Sequence, residues 1–153
     1  LVLVRHPAAF ASSLKRLDWP FDFTNLLQQQ SLMQRWLEPF REEMLSMNAN
    51  DILGQGALLW RMVYQAVDAM QQEHSGYLLV RHEDLSLEPV EGFKRLYQQL
   101  HLDFTPRAEQ AVLASSSAEN PKELSKKRVH AVRLDSRSNL HNWKRRLSPE
   151  EIQ

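Results

Sequence analysis

The sequence predicts an α/β domain, a parallel sheet flanked by helices, on three observations. Two short runs, residues 1–4 and 77–80, are continuously apolar, and each breaks off at an Arg-His pair, Arg5-His6 and Arg81-His82. Unalternating runs of that kind suit parallel strands covered on both faces. The residues between them carry mostly helical periodicity, far more chain than a single crossover needs.

Composition narrows the possibilities. At 153 residues, 42% hydrophobic and 25% charged, the chain suits one domain and leaves little room for two. Its 19 Lys and Arg balance its 19 Asp and Glu, so no global field steers it to nucleic acid or to an acidic membrane, and any anion site must be local. The absence of cysteine excludes a disulfide framework, a thiolate zinc site and a cysteine nucleophile. No apolar run approaches the roughly 20 residues of a membrane span, and the LVLV opening lacks the features of a signal peptide, so the default location is cytoplasmic. Four Gly and seven Pro among helix-friendly residues argue against a β-sandwich and against disorder.

Taken in order, the first helix starts at Pro7, whose missing N–H costs nothing at a first helical position, and stops before Trp19-Pro20. A second spans 25–47, with Leu26, Leu27, Leu32, Met33, Trp36, Leu37 and Phe40 at helical spacing and Pro39 as a kink. Asp51 caps a third, which carries Leu58, Leu59, Met62, Val63 and Met70 and ends near 75–76. Residues 89–100 form an amphipathic helix, Thr105-Pro106 caps another up to the serines at 115–117, and 118–138 reads as an extended loop. Ser148-Pro149-Glu150-Glu151 is a capping box. Two doubly buried strands do not make a stable open sheet, and helix-starting chemistry stands close to the last residue. Both features suggest a piece of a larger domain.

Three constellations bear chemistry. A strand ending in Arg5 runs straight into a helix rich in small residues, including Ser12 and Ser13; a helix N-terminus beyond a strand end favours an anion, and Arg5 adds a bidentate fork. A solvated arginine and filler serines are the bland alternative. Residues 80–89, VRHEDLSLEP, place Glu83 and Asp84 after a strand, as ligand-facing carboxylates or as capping and turn groups. Lys126, Lys127 and Arg128, then Asp135-Ser136-Arg137-Ser138 and Trp143, are a basic loop able to close on a nucleotide or simply to be solvated. Walker, GxGxxG, HExxH and GxSxG patterns are absent, and the six histidines lack ligand spacing, so no metal is expected.

The stretches LVLVRHPAAFASSLKR, YLLVRHEDLSLEPVEGFKRLYQQLHLDFTP and SRSNLHNWKRRLSPEEI, in that order, resemble the sulfotransferases that use 3′-phosphoadenosine-5′-phosphosulfate (PAPS). They are similar to the family's 3′-phosphate strand–helix, its R-Y-E-D-L strand with the helix after it, and its C-terminal loop with W-K. The resemblance implies a P-loop-like three-layer fold, with 1–153 as the C-terminal portion of a single domain and a helical substrate-side insert at about 25–75. It implies that Arg5 and Ser13 hold the 3′-phosphate of PAPS, that Arg137 and Ser138 contact it from the C-terminal loop, and that His82 stands where a tyrosine often lies near adenine. The implied activity is transfer of a sulfuryl group to a hydroxyl or amine of a carbohydrate or small-molecule acceptor, without a metal. The family's 5′-phosphosulfate loop and its catalytic base match nothing within these residues, so the chain alone is expected to be inactive.

Two other classes stand beside that one. A non-catalytic helical interaction module would present the 25–75 helices to a partner. A histidine phosphatase would use His6 as nucleophile, but Pro7 replaces the glycine which that chemistry requires, and no second histidine element follows. Neither the oligomeric state nor a particular acceptor is encoded in any motif.

Overall fold

The computed structural model describes residues 1–74, 76–123 and 132–152. It corrects the expected fold. Among these residues the chain is mostly helical, and its sheet is a single parallel pair, β1 (Val2–Val4) and β2 (Leu79–Arg81), not a parallel sheet between helical layers in a P-loop-like fold. Each strand is three residues long. Nor are the strands doubly buried: Leu3 is 48% and Leu79 40% exposed. A run of four apolar residues satisfies a buried strand and a short half-open one equally well, so the pattern alone leaves the sheet's extent unspecified.

The contacts divide the chain into two compact units, residues 1–6 with 79–145 and residues 7–78 with 146–153. In the second unit, α1 (Pro7–Leu17) begins at the expected proline and buries Ala9, Ala11 and Ser12. It packs on α5 (Ile52–Glu73) at Gly56, where an added Cβ would stand 3.0 Å from both Cα and Cβ of Ala11. Small residues on both sides let the two backbones approach closely. The Asp51 carboxylate caps α5 by accepting the Gly54 N–H at 2.8 Å, as its position foretold.

The helix expected over 25–47 is broken into shorter pieces. These are α2 (Thr24–Leu27), α3 (Gln30–Leu32), a π-helical turn (Met33–Leu37), a 3-10 turn (Glu38–Phe40) and α4 (Arg41–Ser46). Pro39 donates no N–H, and its ring crowds the preceding turn, so a regular ladder cannot cross it. The wide π turn and the tight 3-10 turn offset one another. Met33, Leu37, Phe40 and Met44 therefore keep to one side and form a core with Phe23, Leu58 and Met62. The last helix of the unit, α11 (Pro149–Ile152), starts at a reciprocal box: the Ser148 N–H donates to Glu151 Oε2 at 2.9 Å and the Glu151 N–H to Ser148 Oγ at 3.3 Å. Lys15 pairs with Glu151.

In the first unit, β2 runs directly into α6 (His82–Leu87), and then come α7 (Pro89–Gln99) and α8 (Pro106–Ser116). The Thr105 hydroxyl accepts the Ala108 N–H at 3.3 Å, as expected of an N-cap. The stretch expected as an extended loop contains a helical turn, α9 (Ser136–Asn139), capped by Asp135, with α10 (Trp143–Arg146) after it. Two helices end alike: α1 on Asp18 and α7 on His101, each in the left-handed region at φ 55°. Each end is closed by an N–H reaching five residues back, Trp19 to the Leu14 carbonyl at 3.1 Å and Leu102 to the Tyr97 carbonyl at 2.8 Å.

Substitution of Gly56 by Val is expected to lower stability by about 1–3 kcal/mol through overpacking against Ala11. Gly76→Ala, where no atom lies within 4 Å of the new Cβ, is expected to change it by less than about 0.5 kcal/mol. Urea denaturation of both variants measures the contrast.

Candidate functional site at the strand ends

The parallel register pairs Val2 with Leu79, Leu3 with Val80 and Val4 with Arg81. The next residues, Arg5 and His82, therefore leave neighbouring strands at the same, carboxyl, end. This is where open α/β structures place ligands. Arg5, His6, His82, Glu83 and Trp143, which gather there, all belong to the first unit.

The chain turns out of β1 with its backbone fastened: the His6 N–H donates to Glu83 Oε1 at 2.9 Å. The His6 ring lies on the half-buried Trp143 indole, with centroids 4.7 Å apart and planes 16° from parallel. Glu83 is thus a brace for the Arg5-His6 turn, one of the two roles its sequence position allowed. Burial raises the affinity of its carboxyl for a proton, but the His6 N–H, its own backbone N–H and the charges of His82 and Arg81 outweigh that and hold its pKa below the usual carboxylate value.

His82 is half-buried, and its Nδ1 has no hydrogen-bond partner among the described residues. Burial, and next the positive charge of Arg5, push its pKa below the ordinary histidine value, against a smaller opposite pull from Glu83. Both effects favour the uncharged ring. A neutral imidazole next to a guanidinium is a stacking surface and a hydrogen-bonding group that adds no charge.

The other residues singled out in the sequence have partners of their own. Ser13 belongs to the second unit, where its hydroxyl donates to the Ala9 carbonyl at 2.9 Å, while that of the fully buried Ser12 donates to the same carbonyl at 3.2 Å. Arg137 donates from Nε to the Leu87 carbonyl at 2.8 Å and lines a cavity of about 620 Å³ with Glu88, Glu91 and Asp135. The Ser138 N–H donates to Asp135 Oδ1 at 3.0 Å, and its hydroxyl and backbone keep the Asp135 pKa below the usual carboxylate value. Three carboxylates around one arginine suit a cationic or hydroxylated group better than a phosphate. Asp84 lies 3.9 Å from Arg81 in an exposed pair. The cations Lys126, Lys127 and Arg128 lie outside the described residues.

Among the described residues, no group of three or more His, Asp or Glu side chains is placed to hold a metal ion. None of the described helices is long and apolar enough to cross a membrane. No protein-family model, curated protein or solved structure matches the chain.

One functional group escaped the sequence reasoning. Gln55, 2% exposed, lies between Gly54 and Gly56 and accepts the Phe21 N–H on its amide oxygen at 2.7 Å. Two glycines flanking a polar residue inside an apolar helix were the available signal, since they mark close approach of other chain.

The depressed His82 pKa has a defined consequence for stability. Below pH 6.5 the unfolded chain takes up a proton that the folded one refuses, so His82 costs stability as pH falls from 6.5 toward its lower folded value. Glu83 adds a loss only below its unfolded value of 4.5. The urea midpoint is therefore expected to fall between about pH 7.5 and pH 5.5, and His82→Gln to flatten that fall. Equal slopes in the two proteins would disprove the assignment.

Proposed function

We propose that this chain supplies the part of a PAPS-dependent sulfotransferase that grips the 3′-phosphate, in an enzyme transferring a sulfuryl group to a hydroxyl or amine. The observation carrying this proposal is the paired exit of Arg5 and His82 from adjacent parallel strands, with a neutral imidazole next to the guanidinium. The resemblance of the three stretches, in their order, supports it independently.

The residues fit a phosphorylated nucleoside at this end of the sheet. Arg5 is half-buried, which strengthens a guanidinium–phosphate contact over a fully solvated one. His82 brings a neutral face suited to a base, and Glu83 holds the Arg5-His6 turn in place through the His6 N–H. PAPS, when bound, provides an activated sulfuryl group; the residues here orient the nucleotide and neutralise its charge.

Isothermal titration of the chain with adenosine 3′,5′-bisphosphate tests this. Saturable binding is expected, weakened at least tenfold by Arg5→Ala and less by Arg137→Ala, since Arg137 is engaged at the Leu87 carbonyl. Undiminished binding by Arg5→Ala would place the pocket elsewhere. Absence of binding would favour the non-catalytic helical module.

A further inference from the structure

Nδ1 of His82 is buried and meets no hydrogen-bond partner among the described residues. Buried polar atoms in proteins are mostly satisfied, so an orphan of this kind calls for a reason. The charge state of the ring supplies one. A neutral imidazole carries N–H on one nitrogen only, whereas an imidazolium carries it on both and would bury one of them unmatched. Without a ligand, His82 is held as a base and not as a cation.

The charges around the ring act in the same sense. Burial is the first effect that keeps a proton off, and the positive charge of Arg5, leaving β1 beside it, is the second. Glu83 on the same helix gives a smaller opposite pull, and its carboxylate is engaged by the His6 N–H. Charged groups on neighbouring elements are matched in pairs, Arg81 of β2 with Asp84 at 3.9 Å and Glu88 beside α7 with Arg95 at 3.7 Å. Arg137 of α9 is engaged at the Leu87 carbonyl, and the His6 ring lies on Trp143. Arg5 is therefore the cation that opposes protonation of His82. A phosphate dianion seated on Arg5 reverses that opposition, because an opposite charge within about 4–6 Å favours the charged ring.

We propose that the strand-end site binds a nucleotide phosphate together with a proton: as the dianion settles on Arg5, His82 takes a proton from solvent, and guanidinium and imidazolium hold the phosphate jointly. The inference rests on the nucleotide grip proposed above and adds its regulation, since acid tightens the grip and deprotonation of His82 loosens it. The two events are reciprocal: a rise of about one pH unit in the His82 midpoint on binding makes the protonated form about tenfold the better binder. The ligand alone behaves in the opposite way. A phosphate monoester loses its second charge near about pH 6, so a site built on Arg5 without His82 weakens in acid.

Proton NMR of the histidine rings in the presence and absence of adenosine 3′,5′-bisphosphate tests this, with the His82 signal identified by its loss in His82→Gln. The midpoint is expected below 6.5 in the free protein and about one pH unit or more higher at saturation. Calorimetry gives the second readout. Between about pH 7.5 and pH 5.5, His82→Gln is expected to lose about threefold in affinity, while the wild-type protein holds its affinity or gains. Should His82→Gln fold poorly by circular dichroism, His82→Asn serves in its place. An unmoved midpoint in the saturated protein, or equal pH slopes in wild type and variant, overturns the inference and leaves the nucleotide grip standing. Absence of nucleotide binding overturns both.

Discussion

Three pairs of residues in register turn two segments far apart in sequence into one chemical site. If β1 slipped against β2 by a single residue, every side chain would change face, and Arg5 and His82 would no longer leave the sheet together. Such short strands hold their register weakly by themselves. The carboxylate of Glu83 adds a point of attachment just beyond them, on the His6 N–H, and the Trp143 ring adds another on the His6 imidazole. An exposed pair of strands thus gains its definition from the groups anchored at its carboxyl end, more than from the ladder between the strands.

The second unit relies on a different constraint, the absence of side-chain volume. Ala9, Ala11 and Ser12 are buried on α1, and Ala11 meets Gly56 of α5 so closely that an added methyl group would stand 3.0 Å from its Cα and Cβ and force a small shift. A helix interior ordinarily disfavours glycine by about 1 kcal/mol relative to alanine. Here that loss is offset by the contact it permits. One residue earlier on the same helix, Gln55 uses the same proximity of neighbouring chain for hydrogen bonds, so adjacent positions serve packing and polar satisfaction.

How much of this is legible in the sequence depends on the range of each signal. Local chemistry reads correctly: the proline opening α1, the Asp51 and Thr105 caps, and the Ser148–Glu151 box are all where the sequence places them. Apolar spacing also identifies Leu58, Met62, Met33, Leu37 and Phe40, all of which are core residues. The segment 25–47 departs from the single expected helix because apolar spacing survives a change of helix type, while Pro39 forces one. The sheet is smaller than expected because four apolar residues cannot report how many neighbours a strand has. At the candidate site, Arg5 and His82 are visible as strand-end residues. The brace from Glu83 to His6 and the stacking of Trp143 on His6 join positions far apart along the chain, and no local pattern encodes them.

The left-handed ends of α1 and α7 have an evolutionary side. Asp18 and His101 occupy a backbone region that costs most side chains about 1–2 kcal/mol and these two types less. Glycine would relieve each. The chain thus retains, at two helix exits, an untapped margin that a few nucleotide changes could release, enough to tolerate an otherwise harmful mutation elsewhere while a new activity is being selected.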